Sequence, residues 1–457
     1  MNSIKTLADN RLIRYMVLIL VSLVSASAYL SMEGLFAMEI AIRDPQGLYQ
    51  ISDNEFGALS GAYSLLVVFG GVLIGGIFVD KTGIRKSGTV STLFLIAGAS
   101  LVLYSMVKLR MELRLGNEIP CIRLLGQEIR RPILYGIVGF ALFGAGSEVI
   151  GVVLTKILNK WFKKKEQAFA LASQVAVGRL GIGAAYGGTP YLLAFFNGNV
   201  PIPLIIGVGL LVFGLGLFIL YCFIDKRLDA QYAKAGMSIP QIDESDQFRW
   251  SDLGVIARCK AFWAICLICG FYYGAVRKFD NFSVKFVVDC FDIEEKAGGI
   301  LPLLTSWTVV ILSPLMGIFV DRQGKSLDML VLGSSLAVID FFLLGTVPLS
   351  KSMVYVVFIL NGISFSLVSA SLWPLIDRVF PLSIQGTAYA CVFFFQNIVF
   401  LIVPNLVSFV GTATPDYVFV FLGSAVFAAL FSILFMHIDK KSRWGLNQKE
   451  TEVSSIL

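Results

Sequence analysis

Histidine is nearly absent: one residue in 457. With a single imidazole, no His/Cys cluster of zinc-ligand spacing and no catalytic-triad spacing is visible. Charge is scarce as well. Asp, Glu, Lys and Arg make up 15% of the chain, against ~25% in soluble domains. The Gly-x4-Gly-Lys-Ser/Thr spacing of a Walker loop is absent, so ATP-driven work by this chain is not supported. The seven cysteines are an odd number, and Cys222, Cys266, Cys269, Cys290 and Cys391 lie in or beside apolar runs. They form no disulfide framework, and the Cys266/Cys269 spacing reads as packing inside a span. No cofactor or metal is expected.

What the chain has instead is apolar length. Hydrophobic residues are 56% of the sequence and mean hydropathy is +0.79. At about 20 residues per bilayer-spanning helix, that supply matches twelve spans with little left for a soluble core. A soluble enzyme, a disordered chain and a fibrous protein are excluded. Long continuous apolar runs also exclude an outer-membrane barrel, whose strands alternate. The net charge of +6 is spread in short clusters between the runs, which is the mark of membrane topology rather than of nucleic-acid binding.

The runs predict spans at about 14–41, 56–79, 87–107, 132–158, 166–192 and 202–224, then 260–286, 297–320, 327–347, 353–374, 386–410 and 417–438. Ala26-Ser27-Ala28 resembles a signal-peptidase site, but the first run continues to about Ala41, too long for a signal core. The polar stretch 225–259, with Pro240 and Asp243-Glu244-Ser245-Asp246, divides an N-terminal half (1–224) from a C-terminal half (260–440), and 441–457 is a tail. With both termini cytoplasmic, the inner segments hold 24 of the 37 Lys and Arg residues and the outer loops about nine, six of them within 108–131. That bias sets the expected orientation.

An internal repeat supports the division. Gly76-Ile-Phe-Val-Asp80-Lys81, then Gly83 and Arg85, follows span two; Gly317-Ile-Phe-Val-Asp321-Arg322, then Gly324, follows span eight. A carboxylate at each helix end, beside basic residues, can form a latch that breaks when the halves rock. This doubled loop resembles the signature of the major facilitator superfamily, and the resemblance extends over the whole chain. It implies an all-α membrane protein of twelve transmembrane helices in two six-helix halves, a transporter rather than an enzyme.

A narrower resemblance rests on Phe143-Gly-Ala-Gly-Ser-Glu148, Trp161-Phe162, Ala176-Val-Gly-Arg179-Leu-Gly181, Cys269-Gly-Phe-Tyr272-Tyr273, Leu372-Trp373-Pro374, Gly386-Thr-Ala-Tyr389 and Gln396-Asn397. These are similar to the lysosomal dipeptide uniporter-like branch. That resemblance implies a dipeptide substrate held by Glu148 and Arg179, and a single-pass accessory subunit as partner. Tyr272, Tyr273, Arg277, Gln396 and Asn397 complete the candidate substrate contacts. The sequence departs from that branch at Arg277-Lys278-Phe279-Asp280, where the branch is apolar, and in the longer 108–131 loop. The dileucine-like sorting signals are only approximate, so a prokaryotic inner membrane is an expectation beside the lysosomal one.

Charges within spans are costly, at least ~2.5–3.5 kcal/mol each, so each requires a partner, water or a substrate. Arg179 lies ~13 residues into span five, about 20 Å along the helix and near the midplane. A structural Glu148–Arg179 bridge is the alternative to a substrate site. Arg277 and Lys278 lie toward the outer side, where snorkelling to the interface is the alternative, and Arg277 can pair with Asp280 at i, i+3. Glu33 and Asp340 are lone carboxylates and candidate proton sites. Rival functions are an organic anion or organic phosphate transporter, suggested by Arg179, Arg277 and Lys278, and a transporter-like sensor that binds without translocating.

Overall fold

The computed structural model describes residues 6–116, 118–124, 127–162, 164–234, 254, 256–323, 325–380, 382–412 and 414–442. Among them the chain is a bundle of long helices: α1 (Arg11–Glu33), short α2 (Glu39–Arg43), α3 (Asp53–Ala62), α4 (Val72–Arg114), α5 (Arg131–Trp161), α6 (Lys164–Phe195) and α7 (Pro201–Lys234) in the N-terminal half. The C-terminal half holds α8 (Lys260–Phe291), α9 (Glu295–Gln323), α10 (Ser326–Thr346), α11 (Lys351–Val379), α12 (Leu382–Val410) and α13 (Val418–Ser442). The 43-residue α4 turns at Gly83, whose φ of 79° is left-handed and suits glycine. Spans two and three are therefore α3 with the first part of α4, and the remainder of α4.

Local chemistry sets the starts. Asn10 caps α1 by accepting from the Leu12 amide at 3.0 Å. Ser52 and Glu55 form a reciprocal capping box on α3. Pro132 occupies the first turn of α5, where its missing N–H costs nothing. Nine helices among the described residues are long and apolar enough to cross a membrane. Span two is interrupted at Phe69–Gly70, α6 carries Arg179, and α8 carries Arg277, Lys278, Asp280, Lys285 and Asp289.

Two expected boundaries change. The first span does not run as one helix to residue 41; α1 ends at Glu33, and a 3-10 turn at Phe36–Met38 leads into α2. α7 continues past 224 to Lys234, because Asp225 and Asp229 are ion-pair anchors. Lys160 at the end of α5 lies 2.7 Å from Asp225 and 2.6 Å from Asp229, and Arg85 lies 2.9 Å from Asp229. Beyond Lys234 most of the linker lies outside the described residues.

In the 108–131 loop, Lys108, Arg110, Arg123 and Arg130 have polar partners. It folds into a hairpin, β1 (Cys121–Leu124) antiparallel to β2 (Gln127–Arg130). Arg130 clasps buried Glu55 through Nε at 2.7 Å and Nη2 at 2.6 Å, and also donates to the Tyr49 and Gln50 carbonyls. Arg123 pairs with Glu128, Lys108 with Glu112, and Arg110 with Asn199.

The halves meet along two seams, α6 against α9 and α3 against α12. The close approaches lie toward the side opposite the two chain ends, called distal below. A Cβ on Gly57 would collide with Ser408, and one on Gly299 would stand 2.5 Å from the Tyr186 carbonyl oxygen. Phe56 meets Phe282 edge to face at 5.2 Å. Arg43, Asp53 and Thr412 are joined by hydrogen bonds, with Thr412 Oγ1 donating to Asp53 at 2.6 Å. One apolar core runs from the C-terminal half across this distal seam, while the terminal side of the N-terminal half has a separate core.

Candidate functional site

Four helices bring charged groups to the middle of the bundle. Glu33 at the end of α1 is completely buried. Its Oε1 lies 2.5 Å from Arg277 Nη2 of α8, and its Oε2 accepts from the Tyr186 hydroxyl of α6 at 3.0 Å. Arg277 Nη1 reaches Asp280 Oδ2 at 2.9 Å, one helical turn on, as the i, i+3 spacing anticipates. Asn281 donates to Ser60 Oγ of α3 at 2.7 Å. Glu33 is therefore not a lone carboxylate. It anchors a polar layer joining both halves.

Arg179 and Glu148 lie beside this layer, and they do not bridge each other. Arg179 comes no closer than 4.0 Å to its carboxylate neighbour, Asp280 Oδ2. One face of its guanidinium covers Phe365, 3.7 Å from the ring centre. It makes no hydrogen bond to the described residues, although only 7% exposed. Glu148 is half-buried and accepts only long bonds, from Tyr63 Oη at 3.3 Å and Asn397 Nδ2 at 3.5 Å. Neither charge has a partner at full hydrogen-bond strength among the described residues. Such groups hold unused binding capacity.

The snorkelling alternative does not describe Lys278, which is 3% exposed. Its ammonium donates to the Ser60 carbonyl at 3.3 Å and faces the Phe400 ring at 4.9 Å and the Tyr63 ring at 5.7 Å. Arg277 does not snorkel either, because Glu33 and Asp280 hold it inward. The three cations Arg179, Arg277 and Lys278 are matched by Glu33, Glu148 and Asp280.

The remaining candidates divide. Asn397 belongs to the cluster: it donates to Glu148, and its Oδ1 accepts from Ser64 at 2.7 Å. Tyr273 borders it through its hydroxyl, which accepts from Trp373 Nε1 at 3.1 Å, and its ring packs on Phe365. Gln396 accepts from the Cys269 thiol. Tyr272 is fully buried, with its hydroxyl shared with Ser364 inside the C-terminal half. Asp340 is also fully buried, away from the cluster, and neither carboxylate oxygen has a hydrogen-bond partner. Gly317 lies on an open helix face. The side chains of Asp80, Lys81, Asp321 and Arg322, the surroundings of Gly76, and the whole of Gly324 lie outside what is described; Arg85 reaches Asp225 and Asp229 of α7.

Tyr63, Ser60, Ser64, Tyr186 and Phe365 were not anticipated. Tyrosine and serine within a span are common packing residues, so only their tertiary neighbours single them out. Among the described residues no group of three His, Cys, Asp or Glu side chains could hold a metal.

The family model of the Major Facilitator Superfamily matches residues 12–404 and 281–457. The lysosomal dipeptide transporter MFSD1 of Homo sapiens is 23% identical over 450 residues, covering 94% of this chain and 87% of the relative. Its counterpart from Danio rerio is 24% identical, with 95% and 89% covered. Among solved structures, the xylose transporter XylE from E. coli, in a partially occluded inward open conformation, superposes with a TM-score of 0.69 at 12% identity, over 92% of this chain and 97% of that one. The nucleoside transporter NupG superposes at 0.64, also 12% identical, over 94% and 99%. At that identity the structures speak for the fold alone.

Proposed function

This chain belongs to the Major Facilitator Superfamily, a multi-pass membrane transporter and not an enzyme, and from that premise we propose that it carries small zwitterions, dipeptides foremost, by alternating access. The observation that carries the reading is the under-satisfied pair. Arg179 has a planar fork suited to a carboxylate that makes no hydrogen bond to the described residues, and Glu148 has a carboxylate held only by long bonds from neutral groups. The matched charges of the cluster favour a substrate of zero net charge, since adding an isolated anion to a low-dielectric site requires further compensation. The lysosomal dipeptide relatives, alike over most of their length, support the same substrate class.

Access alternates by rocking of one half against the other. The distal contacts of Arg43, Asp53, Thr412, Phe56 and Phe282 close one side. With both termini cytoplasmic, as the Lys and Arg bias favours, that is the non-cytoplasmic side. The Asp80 and Asp321 loops serve as latches on the opposite side.

The test is uptake and binding by purified protein in proteoliposomes against alanyl-alanine, N-acetylated alanyl-alanine and a sugar phosphate. Arg179→Lys replaces a two-bond fork by a point charge. Losing one charge-assisted bond, worth ~1.5–3 kcal/mol, weakens affinity about ten- to a hundredfold. Glu148→Gln weakens the free-amine peptide more than the acetylated one. Unchanged affinities in both variants, or uptake of the sugar phosphate in preference to the peptide, refute the reading.

A further inference from the structure

Lys278 and Asp280 stand opposite the two substrate-binding charges and have the complementary signs. Both lie on α8 of the C-terminal half, while Arg179 and Glu148 lie on α6 and α5 of the N-terminal half. Asp280 faces Arg179 at 4.0 Å, close enough to neutralise it and too far to hydrogen-bond. Its Oδ2 already accepts from Arg277 at 2.9 Å. Lys278 and Glu148 address the same residue from two sides: the ammonium faces the Tyr63 ring, and the Tyr63 hydroxyl donates to Glu148. Of the other charges beside them, Glu33 is held by Arg277, which divides its two nitrogens between Glu33 and Asp280.

We propose that Lys278 and Asp280 form a tethered zwitterion, an internal stand-in for the substrate that serves Glu148 and Arg179 while the carrier is empty. This rests on the reading of Glu148 and Arg179 as the substrate's ionic partners. A carrier that moves solute in one direction must return unloaded, and in the return its site passes through a state closed to water on both sides. Two charges bare of solvent and of counter-ion make that state prohibitively costly. Lys278 and Asp280 supply the counter-ions across the gap between the halves, at distances long enough for the substrate's own carboxylate and ammonium to displace them through shorter, directed bonds. The stand-in thus makes the protein a net transporter that does not require exchange, and it competes with the substrate for the site.

The experiment compares two fluxes of radiolabelled alanyl-alanine from proteoliposomes holding the full chain: net efflux into peptide-free buffer, and exchange efflux into saturating unlabelled peptide. In Lys278→Met and in Asp280→Asn, net efflux is expected to fall tenfold or more while exchange falls less than threefold. Apparent affinity is expected to tighten severalfold as the internal competitor is removed. Lys278→Arg, which keeps the charge, restores net efflux to within threefold of the parent. Equal loss of both fluxes, or weakened affinity in both variants, overturns the proposal. A measurement without ligand separates it from the substrate reading. In the empty protein, the fall in melting temperature caused by Lys278→Met should shrink when Glu148→Gln is already present, and that of Asp280→Asn should shrink beside Arg179→Gln. Additive falls in both cycles defeat the stand-in even if alanyl-alanine is carried. Failure of the parent to bind alanyl-alanine, with the cycles coupled, defeats the peptide reading and leaves the internal pairing in place.

Discussion

Glu33→Gln is the sharpest probe of how the halves are held together. The substitution keeps the shape of the side chain and removes one charge. Glu33 belongs to the N-terminal half and Arg277 to the C-terminal half, so under the proposed alternating access their 2.5 Å contact is made with the distal side closed and lost when it opens. The loss therefore falls on one conformation and not on both, which is the condition for shifting an equilibrium. Arg277 keeps Asp280 at 2.9 Å, so no bare cation is left behind, and the full penalty of a broken buried pair does not apply. The loss is that of one charge-assisted bond, ~1.5–3 kcal/mol. At 1.4 kcal/mol per tenfold, the closed-to-open ratio falls about ten- to a hundredfold. Removing Glu33 also leaves Arg179 and Arg277 facing Asp280 alone, which acts in the same direction. Spin labels at Gln46 and Thr414, exposed positions on opposite sides of the distal seam, report the change in a cysteine-free background. The parent should give a short-distance population and Glu33→Gln a dominant longer one. An unchanged distance distribution would refute the assignment of Glu33 to the seam.

Gly299→Val should block distal closure, because its side chain would run into the Tyr186 carbonyl; normal membrane insertion with transport lost and distal labels held apart is expected, and wild-type transport would contradict the packing argument. Arg130→Ala removes the clasp on buried Glu55 and two carbonyl bonds and should lower stability by about 3–5 kcal/mol, the cost of breaking a buried pair, read as an earlier midpoint in denaturation. Asp340→Leu replaces a buried carboxyl with no partner on either oxygen by a hydrocarbon of similar volume; melting temperature should rise, and solute accumulation should not depend on an imposed pH gradient in either protein. Uphill, pH-driven accumulation abolished by Asp340→Leu would instead make Asp340 a coupling site.

The chain's own order carried much of this architecture. Apolar runs of bilayer length are a one-dimensional property, so twelve spans could be read from composition and periodicity alone. The repeated Gly-Ile-Phe-Val-Asp segments marked the two halves because duplicated units keep local sequence. Arg179, Glu148, Arg277 and Glu33 stood out because a charge in an apolar run requires an explanation wherever it sits. What those charges do to one another was not legible. Glu33 and Arg277 are 244 positions apart and meet at 2.5 Å, while Glu148 and Arg179, on the successive helices α5 and α6, form no bridge. Lys278 looked placed to reach the interface, yet the direction of its side chain is set by which face of α8 meets α3 and α12, a fact of helix rotation that no run of letters contains. Sequence determined which charges enter the apolar runs; the packing of the two halves decided which pair closely with one another and which make only long contacts.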